Sequence, residues 1–148
     1  RDGVPPPPLP VATGTQLFHA TRRLAAQAIG TNGERVALQS LHKHRLTAVA
    51  GIARPAGFFD MLREAGLRPD REVALPDHAG LADYSALLQD PTNTLICTEK
   101  DAVKLRPLLN GMPAHKRLQV WAVPLDMTPD PAFLDRLIAH LKNLERRP

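Results

Sequence analysis

The chain has 148 residues, 43% hydrophobic and 23% charged, enough to enclose one core and too few for two domains of ordinary size. A net charge of +4, dispersed basic residues and only 4% aromatics exclude a stacking platform for single strands and argue against any nucleic-acid partner. No apolar run reaches the ~18 uncharged residues of a membrane-spanning helix. The single cysteine, Cys97, excludes a disulfide framework or a cysteine metal site and fits a reducing compartment.

The opening RDGVPPPPLP carries five of the 15 prolines. Proline lacks an N–H and fixes φ, so residues 1–13 are expected to form a semi-rigid linker rather than a helix or central strand. Since the chain begins with Arg1 and not Met, this linker is expected to follow another segment. Residues 14–45 are expected to be a connector. TRRLAAQA (21–28) suits a helix on propensity, but QLFHATR (16–22) alternates and TNG (31–33) marks a turn. A small two-stranded antiparallel ribbon over 16–22 and 24–29 is the preferred reading.

From Leu46 to the end, strand and helix alternate four times. LTAVAGIA (46–53) reads as a strand, and PAGFFDMLREAG (55–66) as a helix with Pro55 at its first position and Gly66 at its left-handed stop. REVAL (71–75) is a strand, and LADYSALLQ (81–89) a short helix with Leu81, Tyr84, Leu87 and Leu88 inward. TLIC (94–97) is a strand, DAVKLRPLL (101–109) a helix bent or ended near Pro107, and LQVWAVPL (118–125) a strand. The last helix starts at Asp130-Pro131 and carries Phe133, Leu134, Leu137, Ile138 and Leu141 at helical spacing. Such alternation predicts an α/β lobe over 46–148, a Rossmann-like, mostly parallel sheet with flanking helices. The strands are continuously apolar, which predicts burial on both faces.

In an open parallel sheet, ligands bind beyond the carboxyl ends of the strands. Three segments fall there: Gly51 to Pro55, Pro76-Asp77-His78, and Thr98-Glu99-Lys100-Asp101. Gly51 permits a tight turn and an approach of free amides to an oxyanion, although the turn alone would explain it. Asp77 and His78 offer a carboxylate and a side chain that exchanges a proton near neutrality. Adjacent side chains point apart, so His78 is expected to be oriented by a carboxylate from elsewhere. Thr98 and Asp101 have the spacing of a capping box. That leaves Glu99 and Lys100 at the crevice, with Lys100 a candidate contact for an anionic substrate. No phosphate-binding GxxxxGK[ST], GxSxG, HExxH, CxxC or GxGxxG is present, and no metal site is expected. A free-standing nucleotide- or sugar-binding module without catalysis is the alternative to a partial enzyme.

AVAGIARPAGFFDMLREAGL (48–67), ALPDH (74–78), TEKDAVKLR (98–106) and VWAVPLDM (120–127) resemble, in order and spacing, the C-terminal half of the tetraacyldisaccharide 4′-kinase family of lipid A biosynthesis. The similarity runs from RDGVP to the last helix. The resemblance implies an ATP- and Mg2+-dependent kinase acting on the 4′-hydroxyl of an acylated disaccharide at the cytoplasmic face of the bacterial inner membrane. It also implies an N-terminal P-loop lobe that binds most of the nucleotide, and a two-stranded β linker between lobes. Asp77-His78 matches the family's DH pair, whose histidine acts on the substrate hydroxyl with an aspartate of the other lobe. Gly51, Thr98, Glu99, Lys100 and Asp101 would contribute to the nucleotide and substrate cleft. Two departures stand out: the stretch from His78 to Leu81 is shorter than the family pattern, and Leu105 stands where a cysteine is common.

Overall fold

The computed structural model describes residues 12, 14–89, 93–114 and 118–145; the proline-rich linker expected over 1–13 lies outside them apart from residue 12. The chain forms two compact units, residues 22–126 and a smaller one drawn from 1–21 and 127–148.

The larger unit is built on a six-stranded sheet. Its strands are β2 (Gln27–Gly30), β3 (Arg35–Ala37), β4 (Leu46–Ala50), β5 (Arg71–Ala74), β6 (Thr94–Thr98) and β7 (Gln119–Val123), in the spatial order β3-β2-β7-β6-β4-β5. The four strands from β4 onward are mutually parallel, with Val49 opposite Val73, Ala48 opposite Ile96, and Ile96 opposite Trp121. Helices α1 (Pro55–Glu64), α2 (Leu81–Ser85) and α3 (Glu99–Asn110) are the crossovers. The side-chain period of two sorts each central strand between two cores. Ala48, Ala50, Ile96, Trp121 and Val123 join Phe58, Phe59 and Leu62 of α1 on one side. Val49, Leu95, Cys97, Val120 and Ala122 join Tyr84, Leu105 and Leu109 on the other. Continuous apolar strands are therefore buried twice, as their sequence predicts.

Several local expectations change. Strands do form between residues 20 and 30, but they do not pair with each other. β2 adds antiparallel to β7 and β3, burying Ala28, while β1 (Ala20–Leu24) pairs with β8 (Leu125–Pro129). An isolated hairpin is marginal in water, and joining the main sheet gives β2 an apolar face to cover. The strand expected over 118–125 splits at Pro124. Lacking an N–H, Pro124 cannot extend the ladder of β7, and its carbonyl accepts the Ala25 N–H at 2.9 Å instead. Helix α3 does not end at Pro107 but runs on to Asn110. The proline ring frees the carbonyl of Val103 four residues back, and Val103 is exposed, so water can serve that oxygen. Leu81, expected inward, is exposed at the first position of α2, whereas Tyr84 and Leu88 are buried.

In the smaller unit, α4 (Pro131–Glu145) starts where Asp130 marks it, with the Asp130 carboxylate accepting the Ala132 N–H at 2.9 Å. Phe133 packs edge-on against Phe18 at 5.5 Å, and Leu134, Leu137, Ile138 and Leu141 are exposed. No helix among the described residues is long and apolar enough to cross a membrane.

Candidate functional site

The three parallel strands β4, β5 and β6 deliver the three singled-out segments to one end of the sheet, and a buried carboxylate ties two of them together. Asp101 is wholly buried in the first turn of α3. Its Oδ1 accepts the Gly51 N–H at 2.9 Å and the Tyr84 hydroxyl at 2.6 Å, and its Oδ2 accepts the Thr98 hydroxyl at 2.6 Å. The Asp101 N–H donates to Thr98 Oγ1 at 3.3 Å, which is the first half of the expected capping box. The carboxylate takes donors from the ends of two other elements because a buried carboxyl needs several hydrogen bonds to offset lost hydration. Tyr84 stays a phenol and a donor, since burial first and then Asp101 push its pKa well above the usual range. A Cβ on Gly51 would stand 2.6 Å from Tyr84 Oη and 2.8 Å from Asp101 Oδ1, so this network alone demands glycine there.

The loop after β5 holds Asp77 and His78. Pro76 to Ala79 is a tight turn closed by the Ala79 N–H on the Pro76 carbonyl at 3.0 Å, and His78 occupies its third position with φ of 71°. That conformation suits glycine or asparagine and strains most other residues. The His78 side chain is 90% exposed, and its Nε2 lies 4.0 Å from Asp77 Oδ2, the outer limit of an ion pair. The only described carboxylate near it is thus its neighbour. Lys100, expected as a substrate contact, donates to Asp77 Oδ1 at 2.8 Å. Lys104 donates to the Ala79 carbonyl at 2.7 Å, with its ammonium 5.6 Å from the Tyr84 ring centroid.

The Lys100 hydrogen bond is the main cause holding the Asp77 carboxyl below its ordinary range, against some loss of hydration. A carboxyl depressed on folding stabilises the folded chain above its unfolded range, and that contribution disappears as pH falls through the folded value. The stability difference between wild type and Asp77→Asn should therefore be present at about pH 6 and shrink toward zero by about pH 2, measured by urea unfolding. A difference that stays constant would show that the ion pair contributes nothing.

Glu99 does not join this group. It is exposed and borders a pocket of about 190 Å³ with Ile29, Thr31, Val103 and Arg106. A larger hollow of about 480 Å³, lined by Arg45, Thr47, Asp70 and Asn93, lies at the opposite, amino ends of the strands. Among the described residues no three His, Cys, Asp or Glu side chains stand together. Sequence reasoning missed the polar roles of Tyr84 and Lys104. The only visible signal for the first was a single tyrosine at an inward position, and for the second a lysine one turn after Lys100.

A mostly parallel sheet with polar side chains gathered beyond its carboxyl ends defines an open α/β domain with a candidate site in the strand-end crevice. Comparison with known proteins narrows that class. The family model for tetraacyldisaccharide-1-P 4′-kinase matches residues 8–142, and the chain belongs to this family. A tetraacyldisaccharide 4′-kinase of Acidovorax sp. (strain JS42) is 44% identical over 91% of this chain and 37% of its own length. That of Methylibium petroleiphilum is 40% identical over 97% of this chain and 39% of its own, and that of Neisseria gonorrhoeae 33% over 82% and 33%. The chain thus spans well under half the length of these relatives. A crystal structure of LpxK from Aquifex aeolicus in complex with ATP shares the fold, with a TM-score of 0.58 and 22% identity over 90% of this chain and 39% of that one.

Proposed function

We propose that this chain is the C-terminal lobe of a lipid A 4′-kinase, which transfers the γ-phosphate of ATP to the 4′-hydroxyl of tetraacyldisaccharide 1-phosphate at the cytoplasmic face of the inner membrane. The observation that carries this reading is His78, presented almost fully exposed beyond the strand ends on a turn that strains it. Strain at an exposed imidazole is tolerated where position matters more than stability. His78 takes the proton of the attacking hydroxyl as its oxygen bonds to the γ-phosphorus and ADP departs with the bridging oxygen. Asp77, kept ionised by Lys100, stabilises the imidazolium that results. Phosphoryl transfer needs little covalent help from the protein beyond this; positioning and charge do the rest.

The N-terminal P-loop lobe, most of the ATP site and the Mg2+ ligands belong to the part of a relative-length enzyme that this chain does not span. Mg2+, when bound, would supply neutralisation of phosphate charge. Gly51, Thr98 and Asp101 serve the cleft by fixing its floor, with Lys100 at its rim. The test is a chimera in which this chain replaces the matching part of the Acidovorax relative. His78→Ala should lower ATP-dependent phosphorylation of the acylated disaccharide by ~10²- to 10⁴-fold. Unchanged turnover would remove His78 from the chemistry. An inactive wild-type chimera that still binds nucleotide through this chain would favour the binding module.

A further inference from the structure

We propose that Lys100 and Lys104 are positioning residues that hold His78 in its left-handed conformation, Lys100 through the Asp77 carboxylate and Lys104 through the Ala79 carbonyl. The inference rests on the reading of His78 as the proton acceptor, and it adds two residues that act on that histidine without touching the reacting atoms.

The two lysines are four residues apart on α3, so both ammonium groups leave the same face of the helix toward the turn that follows β5. One contact falls immediately before His78 and the other immediately after it, at 2.8 Å and 2.7 Å. The His78 imidazole is 90% exposed with its Nε2 4.0 Å from Asp77 Oδ2, and its backbone sits at φ of 71°. A non-glycine residue stays in that region only when its surroundings determine it. Here the surroundings are few and identifiable. Ala79 is buried in the core beside Tyr84, which fixes the far side of the turn, and Lys104 seats its ammonium near that same Tyr84 ring. Tyr84 is in turn fixed by Asp101, so the buried carboxylate, the phenol ring, Lys104 and the turn form one connected chain of contacts. Lys100 fixes the near side through a carboxylate that would otherwise be free to rotate. Removing either lysine leaves the histidine attached but lets the turn relax toward an unstrained conformation.

The test uses Lys104→Met and Lys104→Arg in the 148-residue chain and in the chimera. In the chain, amide exchange at Ala79, whose N–H closes the turn, should accelerate about tenfold in Lys104→Met and return toward wild type in Lys104→Arg. In the chimera, kcat should fall roughly tenfold or more in Lys104→Met with KM for ATP within about twofold, and Lys104→Arg should recover most of it. Lys100→Met, at an exposed position, should act in the same direction on both readouts. Wild-type exchange at Ala79 in Lys104→Met overturns the proposal. So does accelerated exchange with unchanged kcat in a chimera that His78→Ala inactivates. Accelerated exchange together with a fully active His78→Ala chimera supports the two-lysine hold and sinks the proton-acceptor reading instead.

Discussion

Replacing Asp101 with alanine should destabilise the chain by about 3–5 kcal/mol, a large share of what a domain of this size possesses. The carboxylate accepts three donors, and two of them, the Gly51 N–H and the Tyr84 hydroxyl, have no route to water when it is removed. Each orphaned donor costs roughly 1–3 kcal/mol, whereas the Thr98 hydroxyl, partly exposed, can find solvent. Asp101→Asn should cost much less, about 1–2 kcal/mol. Its amide oxygen can keep the Gly51 and Tyr84 bonds, and its NH2 can donate to a Thr98 hydroxyl turned to accept. Chemical denaturation of the three proteins reads the ordering directly. An alanine variant no less stable than the asparagine variant would mean that water reaches this site and that the network holds nothing. Gly51→Ala should be strongly non-additive with Asp101→Ala, because the atoms its Cβ would strike include that carboxylate.

Replacing His78 with glycine should move stability and activity in opposite directions. The histidine holds a left-handed backbone at a cost of about 1–3 kcal/mol, and glycine adopts it freely. The side chain is almost fully exposed and makes no short contact, so little is lost on removing it. After the extra chain entropy of glycine in the unfolded state, the net gain should be about 1 kcal/mol, a rise of a few degrees in Tm for the 148-residue chain. His78→Ala is the control: it deletes the imidazole, keeps the strain, and should leave Tm close to wild type. In the chimera both variants should lose activity to the same extent. Equal melting temperatures for the glycine and alanine variants would show that the turn is unstrained, and with it the need for the two lysines would vanish.

Much of this architecture is written in local patterns. The alternation of short apolar strands with helices carrying Pro55 and Gly66 as start and stop signals is enough to predict parallel pairing, and the TEKDAVK and AGI segments are enough to reveal the family. The strand-end location of Asp77, His78, Thr98 and Lys100 follows from the same pattern, because each stands just after a predicted strand, whereas Gly51 falls there because β4 stops at Ala50, inside the strand expected over 46–53. Pairing partners were not legible. Whether β2 joins β1 or β7 depends on which apolar faces remain uncovered after the whole chain has folded, and Pro124 redirects a strand in a way that its own sequence records only as a missing N–H. The inward face expected for α2 holds at Tyr84 and Leu88 but not at Leu81, whose exposure at the first position of the helix is set by packing and not by periodicity.

The sequence by itself determined the α/β class, the family and the end of the sheet at which its candidate site residues gather, because these rest on periodicity and on motifs contiguous in the chain. Only the tertiary structure decided what those residues do for one another. It turned Asp101 from a local cap into the common acceptor for Gly51 and Tyr84, and Lys100 from a free cation into the partner of Asp77. It also placed Lys104 against the turn that carries His78. Those pairs are separated by 17 to 50 positions, and no local propensity links them. Their meeting depends on the closure of parallel crossovers, which brings the ends of distant strands side by side.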